Sequence, residues 1–310
     1  MPRYRAVFLG TPAFAVPSLA ALARDEEVTL VVTNPDRPAG RGKVLTASPV
    51  KREAQRLGIP VFQPEKARHP ESVARILSES PDLVIVVAYG QILPPSILDI
   101  PKRMCINVHA SLLPRYRGAA PINWAIARGE TMTGVTIMKM DAGMDTGPML
   151  NVRTMPIGED DTAETMFPKL SALGAEALTE ALGMLRRGTL AGTPQDGAMA
   201  TYAPMLKKEH GRIDWGKPAR EVRDLVRGMT PWPVACAAHA GKTVKILAAS
   251  VREGKGAPGE ILSVDRDGIV VACGEGAVRL GKVQPEGGRA MSSWEYAQGR
   301  RVRKGDRLSP

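Results

Sequence analysis

C-I-N-V-H-A-S-L-L-P-R-Y-R-G, residues 105–118, begins as an apolar strand and ends as a polar loop. Alternate positions of a strand share a face and lie about 6 to 7 Å apart. Asn107 and His109 therefore project together, while Ile106 and Val108 project the opposite way. A strand covered by helices on both faces is normally apolar throughout. Two polar side chains at its C-terminal tip mark a candidate site, because open α/β sheets bind ligands beyond the carboxyl ends of their strands. Upstream lies D-L-V-I-V-V-A-Y-G (82–90), the strongest strand signal in the chain.

The same texture extends outward from these two runs. R-A-V-F-L-G (5–10), V-T-L-V-V-T (28–33), 60–62 and T-G-V-T-I-M-K-M (133–140) read as further strands. Between them, 13–24, 49–57, 70–79 and 119–128 carry apolar residues at helical spacing or helix-start signals, and 162–187 reads as a long helix. Ser48-Pro49 is an N-cap followed by proline at the first helical position. This β-α alternation predicts an α/β fold with a doubly wound, mostly parallel sheet. Near 188 the pattern breaks into G-T-L-A-G-T-P-Q-D-G-A-M-A-T-Y-A-P. A helix at 218–229 and about five short strands within 233–283, separated by Gly and Asp turns, predict a small β-barrel that is OB-like. The expected division is 1–188, a linker at 189–206, and 207–310.

At 310 residues and 44% hydrophobic, the chain can bury two cores. Three cysteines without a CxxC point to a reducing compartment. The start of the chain carries no signal- or transit-peptide pattern, and no run is long and apolar enough to span a bilayer, so a cytoplasmic protein is expected; no helix or strand stands out as an interface, so a monomer is expected. The net charge of +10 is uneven. Residues 1–204 hold 22 Lys/Arg against 20 Asp/Glu, and residues 205–310 hold 20 against 12. A basic C-terminal part suggests a polyanionic partner, nucleic acid first. The loop N-P-D-R-P-A-G-R-G-K-V (34–44) adds Arg37, Arg41 and Lys43 among glycines and prolines, and is either a solvated connector or a phosphate-approaching loop. It lacks the Walker A spacing, and no G-x-G-x-x-G follows the first strand, which argues against a nucleotide cofactor.

Asp145, in D-A-G-M-D-T-G-P (141–148), joins Asn107 and His109 as a candidate. Several readings stay open. Cys105 shares their strand face, but four residues before His109 it should lie deeper, where a thiol is inert. His109 and Asp145 lack a second His/Cys cluster with metal-ligand spacing. A core histidine satisfied by a buried Asp is the bland alternative. The remaining reading is acyl transfer by direct amine attack. Asn donates to a developing oxyanion, and a protonated His does the same beside a carboxylate. Met138, Met140, Met144 and Met149 read as core filling, and His210 and His239 as surface or turn residues without partners. The tail R-R-V-R-K-G-D-R (300–307) is a solvated basic end or a phosphate contact.

I-N-V-H-A-S-L-L-P-R-Y-R-G-A-A-P and D-A-G-M-D-T-G-P resemble the signatures of the 10-formyltetrahydrofolate-dependent formyltransferases. F-L-G-T-P-A-F-A-V-P-S-L, P-D-R-P-A-G-R-G-K, V-V-A-Y-G-Q-I-L-P, R-I-D-W and Q-P-E-G-G-R-A-M-S are similar to the methionyl-tRNA formyltransferases within that superfamily. The resemblance implies a Rossmann-like catalytic domain over 1–188 and a tRNA-binding barrel over 207–310. It implies 10-formyltetrahydrofolate as cosubstrate, no metal, and methionyl initiator tRNA as partner. Asn107 and His109 match the oxyanion-stabilising pair, and Asp145 the carboxylate that orients the histidine. Ser111, Leu112, Leu113 and Pro114 match a folate-contacting stretch. Tyr89, Gly90, Ile92 and Leu93, with Asp141 and Gly143, match the walls of the pterin pocket. Arg41, with Arg37 and Lys43 beside it, matches the basic loop that enters the acceptor stem. A formyltransferase for a small amine, and a non-catalytic RNA-binding protein on this scaffold, are the alternatives.

Overall fold

The Val/Ile runs become the centre of a seven-stranded sheet. The computed structural model describes residues 3–39 and 44–310, which divide into two compact units. The first unit contains β1 (Arg5–Gly10), β2 (Glu27–Val32), the hairpin β3 (Arg37–Ala39) and β4 (Val44–Thr46), β5 (Val61–Phe62), β6 (Leu83–Val87), β7 (Met104–His109), β8 (Arg117–Gly118), nearly all of β9 (Met132–Lys139), β10 (Met149–Pro156) and β11 (Tyr202–Ala203). The order across the main sheet is β10-β9-β7-β6-β1-β2-β5. β1 pairs in parallel with β2 and β6, β2 with β5, and β6 with β7; β9 runs antiparallel to β7. The chain builds β1, β2 and β5 to one side and then crosses to β6 and β7 on the other. The strand order thus reverses between β1 and β6, the place where such sheets open a ligand crevice.

Burial explains the order. Every residue of L-V-I-V-V in β6 is buried, as a central parallel strand requires. Val7, Leu9, Leu30, Val32, Val84 and Val86 form one core with Ile76, Ile97 and Cys105. Burying each such aliphatic side chain is worth about 1.5 to 3 kcal/mol. The helices before residue 187 are α1 (Val16–Asp25), α2 (Pro49–Arg56), α3 (Pro70–Leu77), the short α4 (Pro95–Leu98), α5 (Pro121–Ala127) and α6 (Ala163–Arg186); α5 from Ile122 on and α6 up to Met166 belong to the second unit. The Ser48 hydroxyl accepts the Lys51 N–H at 3.0 Å with Pro49 opening α2, the cap expected from sequence. A Cβ on Gly174 of α6 would lie 3.0 Å from Val108, so α6 covers the Val108 face of β7, opposite Asn107 and His109.

Three features depart from the sequence reading. β10 is not signalled by apolar periodicity, because it is an edge strand with mostly exposed or half-buried residues. The 34–44 loop carries the β3–β4 pairing at its flanks. The stretch expected as a linker is built into the first unit up to Ala203. Thr193 and Met149 exchange both backbone hydrogen bonds, at 2.8 and 2.9 Å, and β11 pairs in parallel with β8.

The second unit comprises 204–310 together with 122–132 and 157–166. Its elements are α7 (Ala219–Gly228), β12 (Ala235–His239), β13 (Lys242–Arg252), β14 (Ile261–Asp265), β15 (Gly268–Ala272), β16 (Ala277–Pro285), β17 (Met291–Ser292), α8 (Ser293–Arg300) and β18 (Leu308–Ser309). The antiparallel order β14-β15-β16-β13-β12-β18 nearly closes on itself. Ile261 N–H donates to Asp306 O, and Leu308 N–H to Gly259 O, both at 2.8 Å. The basic tail is therefore the closing seam of the barrel, which removes two sheet edges. The two N-terminal excursions are latched to α7. Asn123 Nδ2 donates to Gly228 O, and Arg227 Nη1 to the carbonyls of Gly158 and Asp161, all at 2.8 Å. His239 is not without a partner: its Nδ1 lies 3.0 Å from the Tyr296 hydroxyl. His210 Nδ1 accepts the Lys207 N–H at 3.1 Å.

Candidate active site

Strand geometry does what the i, i+2 spacing predicts. Asn107 and His109 share the face of β7 opposite α6, and the 141–148 loop folds over that face. Asp145 Oδ1 accepts from Asn107 Nδ2 at 3.4 Å, and Oδ2 lies 3.7 Å from His109 Nδ1. The three residues are thus one cluster. The first contact is long and the second exceeds hydrogen-bond length, as is common in unliganded sites. His109 is 6% exposed, and the Asp145 side chain 17%.

The histidine has a fixed tautomer. Its Nε2 is 3.0 Å from the Tyr116 carbonyl, which can only accept, so Nε2 carries a proton and donates it there. Nδ1 is left beside Asp145. In the neutral ring Nδ1 is a lone pair, and in the charged ring it is a second donor. Tyr116 is itself in the left-handed region, φ 60°, and its N–H is held by Thr201 Oγ1 at 2.9 Å.

Asp145 also has left-handed backbone, φ 52°. Asp tolerates this conformation better than most residues because its side chain bonds locally. Oδ2 accepts the Gly118 N–H at 2.8 Å. The glycines of the loop are needed for close approach: a Cβ on Gly147 would lie 1.8 Å from Lys139 O. Asp141 Oδ1 accepts from Gly143 N at 3.1 Å and from Thr146 Oγ1 at 2.7 Å, which turns the loop's entry.

The other sequence-predicted residues fall into three groups. Ser111 and Leu113 are buried, and Leu112 and Pro114 half-buried. Thr136 Oγ1 ties this stretch down, donating to Ser111 O at 2.7 Å and accepting from Leu113 N at 3.1 Å. After β6, the Tyr89 ring is 2% exposed, and burial pushes its hydroxyl up to about 12. Leu93 also packs in the core, whereas Ile92 is 91% exposed and Gly90 open to solvent. Asp141 and Gly143 are exposed. Arg37 is exposed on β3, while Arg41 and Lys43 lie outside the described residues. Met138 is buried as expected, but Met144 is 62% exposed, so core filling does not explain it.

Cys105 shares the Asn107/His109 face yet is 2% exposed, with Sγ 3.5 Å from Met140 Sδ. Burial pushes its thiol up to about 12, so it stays protonated and is no nucleophile near neutrality. Among the described residues no group of three or more His, Cys, Asp or Glu is placed to hold a metal ion. No helix there is long and apolar enough to cross a membrane.

A cleft of about 650 Å³ opens at the β1/β6 reversal, lined by Thr11, Asn34, Arg37, Ser48, Gly90 and Gln91 among others. Its wall is cross-braced. Asn34 Nδ2 donates to Tyr89 O at 2.9 Å, and Gln91 Nε2 to Asn34 Oδ1 at 2.7 Å. Lys51 and Gln63 both donate to Asp36, holding its carboxyl below the usual range. Sequence reasoning placed Gln91 within its 89–93 stretch but missed Asn34, as it missed Tyr116, Gly118, Gln195 and Thr201. Most of these act through backbone groups or one amide, which carry no periodic signal. Gly118, with φ 114°, was the detectable one, as a glycine closing a polar loop.

Comparison with known proteins adds an independent line. The formyl transferase family pattern matches residues 4–182, and that of the formyl transferase C-terminal domain matches 205–301. Methionyl-tRNA formyltransferase of Geobacter metallireducens is 52% identical over 303 residues, covering 97% of each chain. The protein of that name from Myxococcus xanthus is 48% identical, covering 98% of each. Among solved structures, an N-formyltransferase from Helicobacter canadensis, in complex with folinic acid and dTDP-3-aminofucose, superposes with a TM-score of 0.66 at 17% identity. It covers 90% of this chain and 99% of that one. HypX from Aquifex aeolicus in complex with tetrahydrofolic acid gives 0.64 at 21% identity, covering 95% of this chain and 47% of that one. At these identities the two structures are evidence of a shared fold.

Proposed function

We propose, from the premise that this chain belongs to the methionyl-tRNA formyltransferases, a division of labour for its reaction, the transfer of a formyl group from 10-formyltetrahydrofolate to the amine of methionyl-tRNA. The cosubstrate supplies an acyl carbon already activated on N10. The residues present suit a flat, partly apolar ligand. Ile92 keeps its side chain in solvent, and Gly90 and 141–144 are exposed. Tyr89 and Leu93 lie beneath that surface, and Ser111 to Pro114 shape the turn beside it.

The cluster of Asn107, His109 and Asp145 carries the reading. As the amine adds to the formyl carbon, charge gathers on the formyl oxygen. Asn107 Nδ2 donates to that oxygen. His109 Nδ1, a lone pair while Tyr116 holds the Nε2 proton, takes the proton the amine must lose. It then presents an N–H to the same oxygen, with the imidazolium facing Asp145. The proton passes on to N10 as the formyl–N10 bond breaks, so one C–N bond forms, one breaks, and the proton count closes. Asp145, or a water it holds, orients the ring throughout. Of the two donors only the Asn107 amide stands ready before the attack, and such a preorganised donor acts without reorganising at the moment of reaction.

The acceptor stem of the tRNA is held by the 34–44 loop, through Arg37 on β3, with Arg41 and Lys43 assigned by the family resemblance alone. The basic second unit, 20 Lys/Arg against 12 Asp/Glu over 205–310, holds the body. The acceptor is the initiator species, the enzyme acts as a monomer, and it works in the cytoplasm with the translation machinery. The test is transfer of labelled formyl to charged initiator and elongator tRNAs, with a small amine such as glycinamide ribonucleotide in parallel. Label on methionyl initiator tRNA alone is expected. Label only on the small amine would overturn the role given to the second unit. RNA binding without transfer to any acceptor would overturn the catalytic reading.

A further inference from the structure

Gln195 stands in the stretch that reads as a linker, T-P-Q-D-G (193–197), yet its side chain ends at the catalytic loop. Nε2 donates to Asp145 O at 2.8 Å and to Gly147 O at 2.7 Å. Oε1 accepts from Arg117 Nε at 3.0 Å and Nη2 at 2.7 Å. The amide orientation is unambiguous, since a guanidinium can only donate and a carbonyl can only accept. Both amide protons and the amide oxygen are used. Arg117 itself is 6% exposed and sits on β8, next to the two backbone groups that serve the site: Tyr116 O on His109 and Gly118 N on Asp145.

The backbone around Gln195 is fixed on both sides. Upstream, Thr193 is bridged to Met149 at the end of the Asp145 loop. Downstream, Thr201 holds Tyr116 through its hydroxyl and accepts the Arg117 N–H at 2.8 Å, and Ala203 O accepts the Ala119 N–H at 2.9 Å. Residues 193–203 are thus a strap that joins the loop carrying Asp145 to the loop that holds His109. Gln195 is the side chain that spans both.

We propose that Gln195 is a positioning residue for formyl transfer, setting the placement of Asp145 against His109 through its bonds to Asp145 O, Gly147 O and Arg117. This rests on the reading of Asp145 as part of the reacting cluster. The amide is specific to the task. A glutamate of the same length keeps the Arg117 contact but turns a carboxylate toward two carbonyl oxygens. A methionine keeps the volume and loses every bond. Neither change touches the folate or tRNA surfaces named above.

Single-turnover rates, KM for both substrates and the pH–rate profile would be measured for wild type, Gln195→Met, Gln195→Glu, Asp145→Asn and the double variant Gln195→Met/Asp145→Asn. Both Gln195 variants are expected to lose about 10- to 100-fold in rate, the scale of a small misplacement of a reacting group. Both KM values should stay within about twofold. The pH profile of Gln195→Met should move toward that of Asp145→Asn. In the Asp145→Asn background, Gln195→Met should cost less than about twofold, since the group it positions is already impaired. Should Gln195→Met fail to fold, Gln195→Glu carries the same comparison. Wild-type rates in a folded Gln195 variant, or an undiminished loss in the Asp145→Asn background, would overturn the proposal. Wild-type activity in Asp145→Asn would overturn the reading of the cluster, a separate result.

Discussion

Asn107 and His109 stand on β7, which is bonded to β6 on one side and β9 on the other, with Val108 packed toward α6 behind them. Asp145 stands on a loop with left-handed backbone, held by the Gly118 amide and by the Gln195 side chain at its carbonyl. The strand places two side chains through many identical backbone bonds, so no one bond is decisive. The loop places one side chain through a few bonds of different kinds. A non-glycine residue in the left-handed region costs of order 1 kcal/mol or more and persists only where its surroundings hold it. The two supports should therefore fail differently. Damage at the strand removes a chemical group and leaves the frame, whereas damage at the loop moves a group that is still present.

Asn107→Ala tests the strand side and should have the largest effect of these changes. It deletes the proposed oxyanion donor while β7 keeps its pairing. A fall of about 10²–10³ in kcat is expected, or about 3 to 4 kcal/mol, with both KM values and Tm nearly unchanged. Turnover close to wild type in pre-steady-state mixing would break the comparison at its strand end. Gly147→Ala tests the loop. The added methyl would meet Lys139 O at 1.8 Å, so the loop must shift. About 1 to 3 kcal/mol of stability should go, as for an overpacked site, together with roughly tenfold or more in kcat. A lower Tm with intact kcat would show that Asp145 tolerates movement of its loop. Cys105 is the smallest case. It lies on the strand face of the site but is 2% exposed, with its thiol pushed up to about 12. Iodoacetamide applied to the native protein at pH 8 should leave it unmodified and activity unchanged. Mass spectrometry showing rapid alkylation of Cys105 would mean that the strand is less well covered than its packing indicates.

The same contrast explains what could be read from the sequence. Strand periodicity put Asn107 and His109 on one face and Cys105 deeper on that face, because an alternating pattern is a statement about direction. Ser48-Pro49 announced α2 because capping chemistry is local. Asp145 was found through its glycine-rich loop, but not the groups that hold it. Gln195 and Thr201 act from a stretch of glycine, proline and threonine whose composition says turn and nothing more. Their partners are backbone atoms far along the chain, and a backbone carbonyl has no letter in the sequence. The edge strand β10 was lost for a related reason: with little of it buried, hydrophobic pattern has nothing to record. Closure of the barrel by 305–309 was hidden behind a run of arginines.

The latch on α7 has a consequence for how such a gene can be recombined. The second unit draws residues 122–132 and 157–166 from between segments of the first, and Asn123, Gly158 and Asp161 bond directly to Gly228 and Arg227. A crossover at residue 204 would exchange the largest of three segments and orphan the other two. Chimeras between relatives should be healthiest when all three pieces share one parent, and a crossover scan along the gene would mark 122–132 and 157–166 as inherited with the barrel.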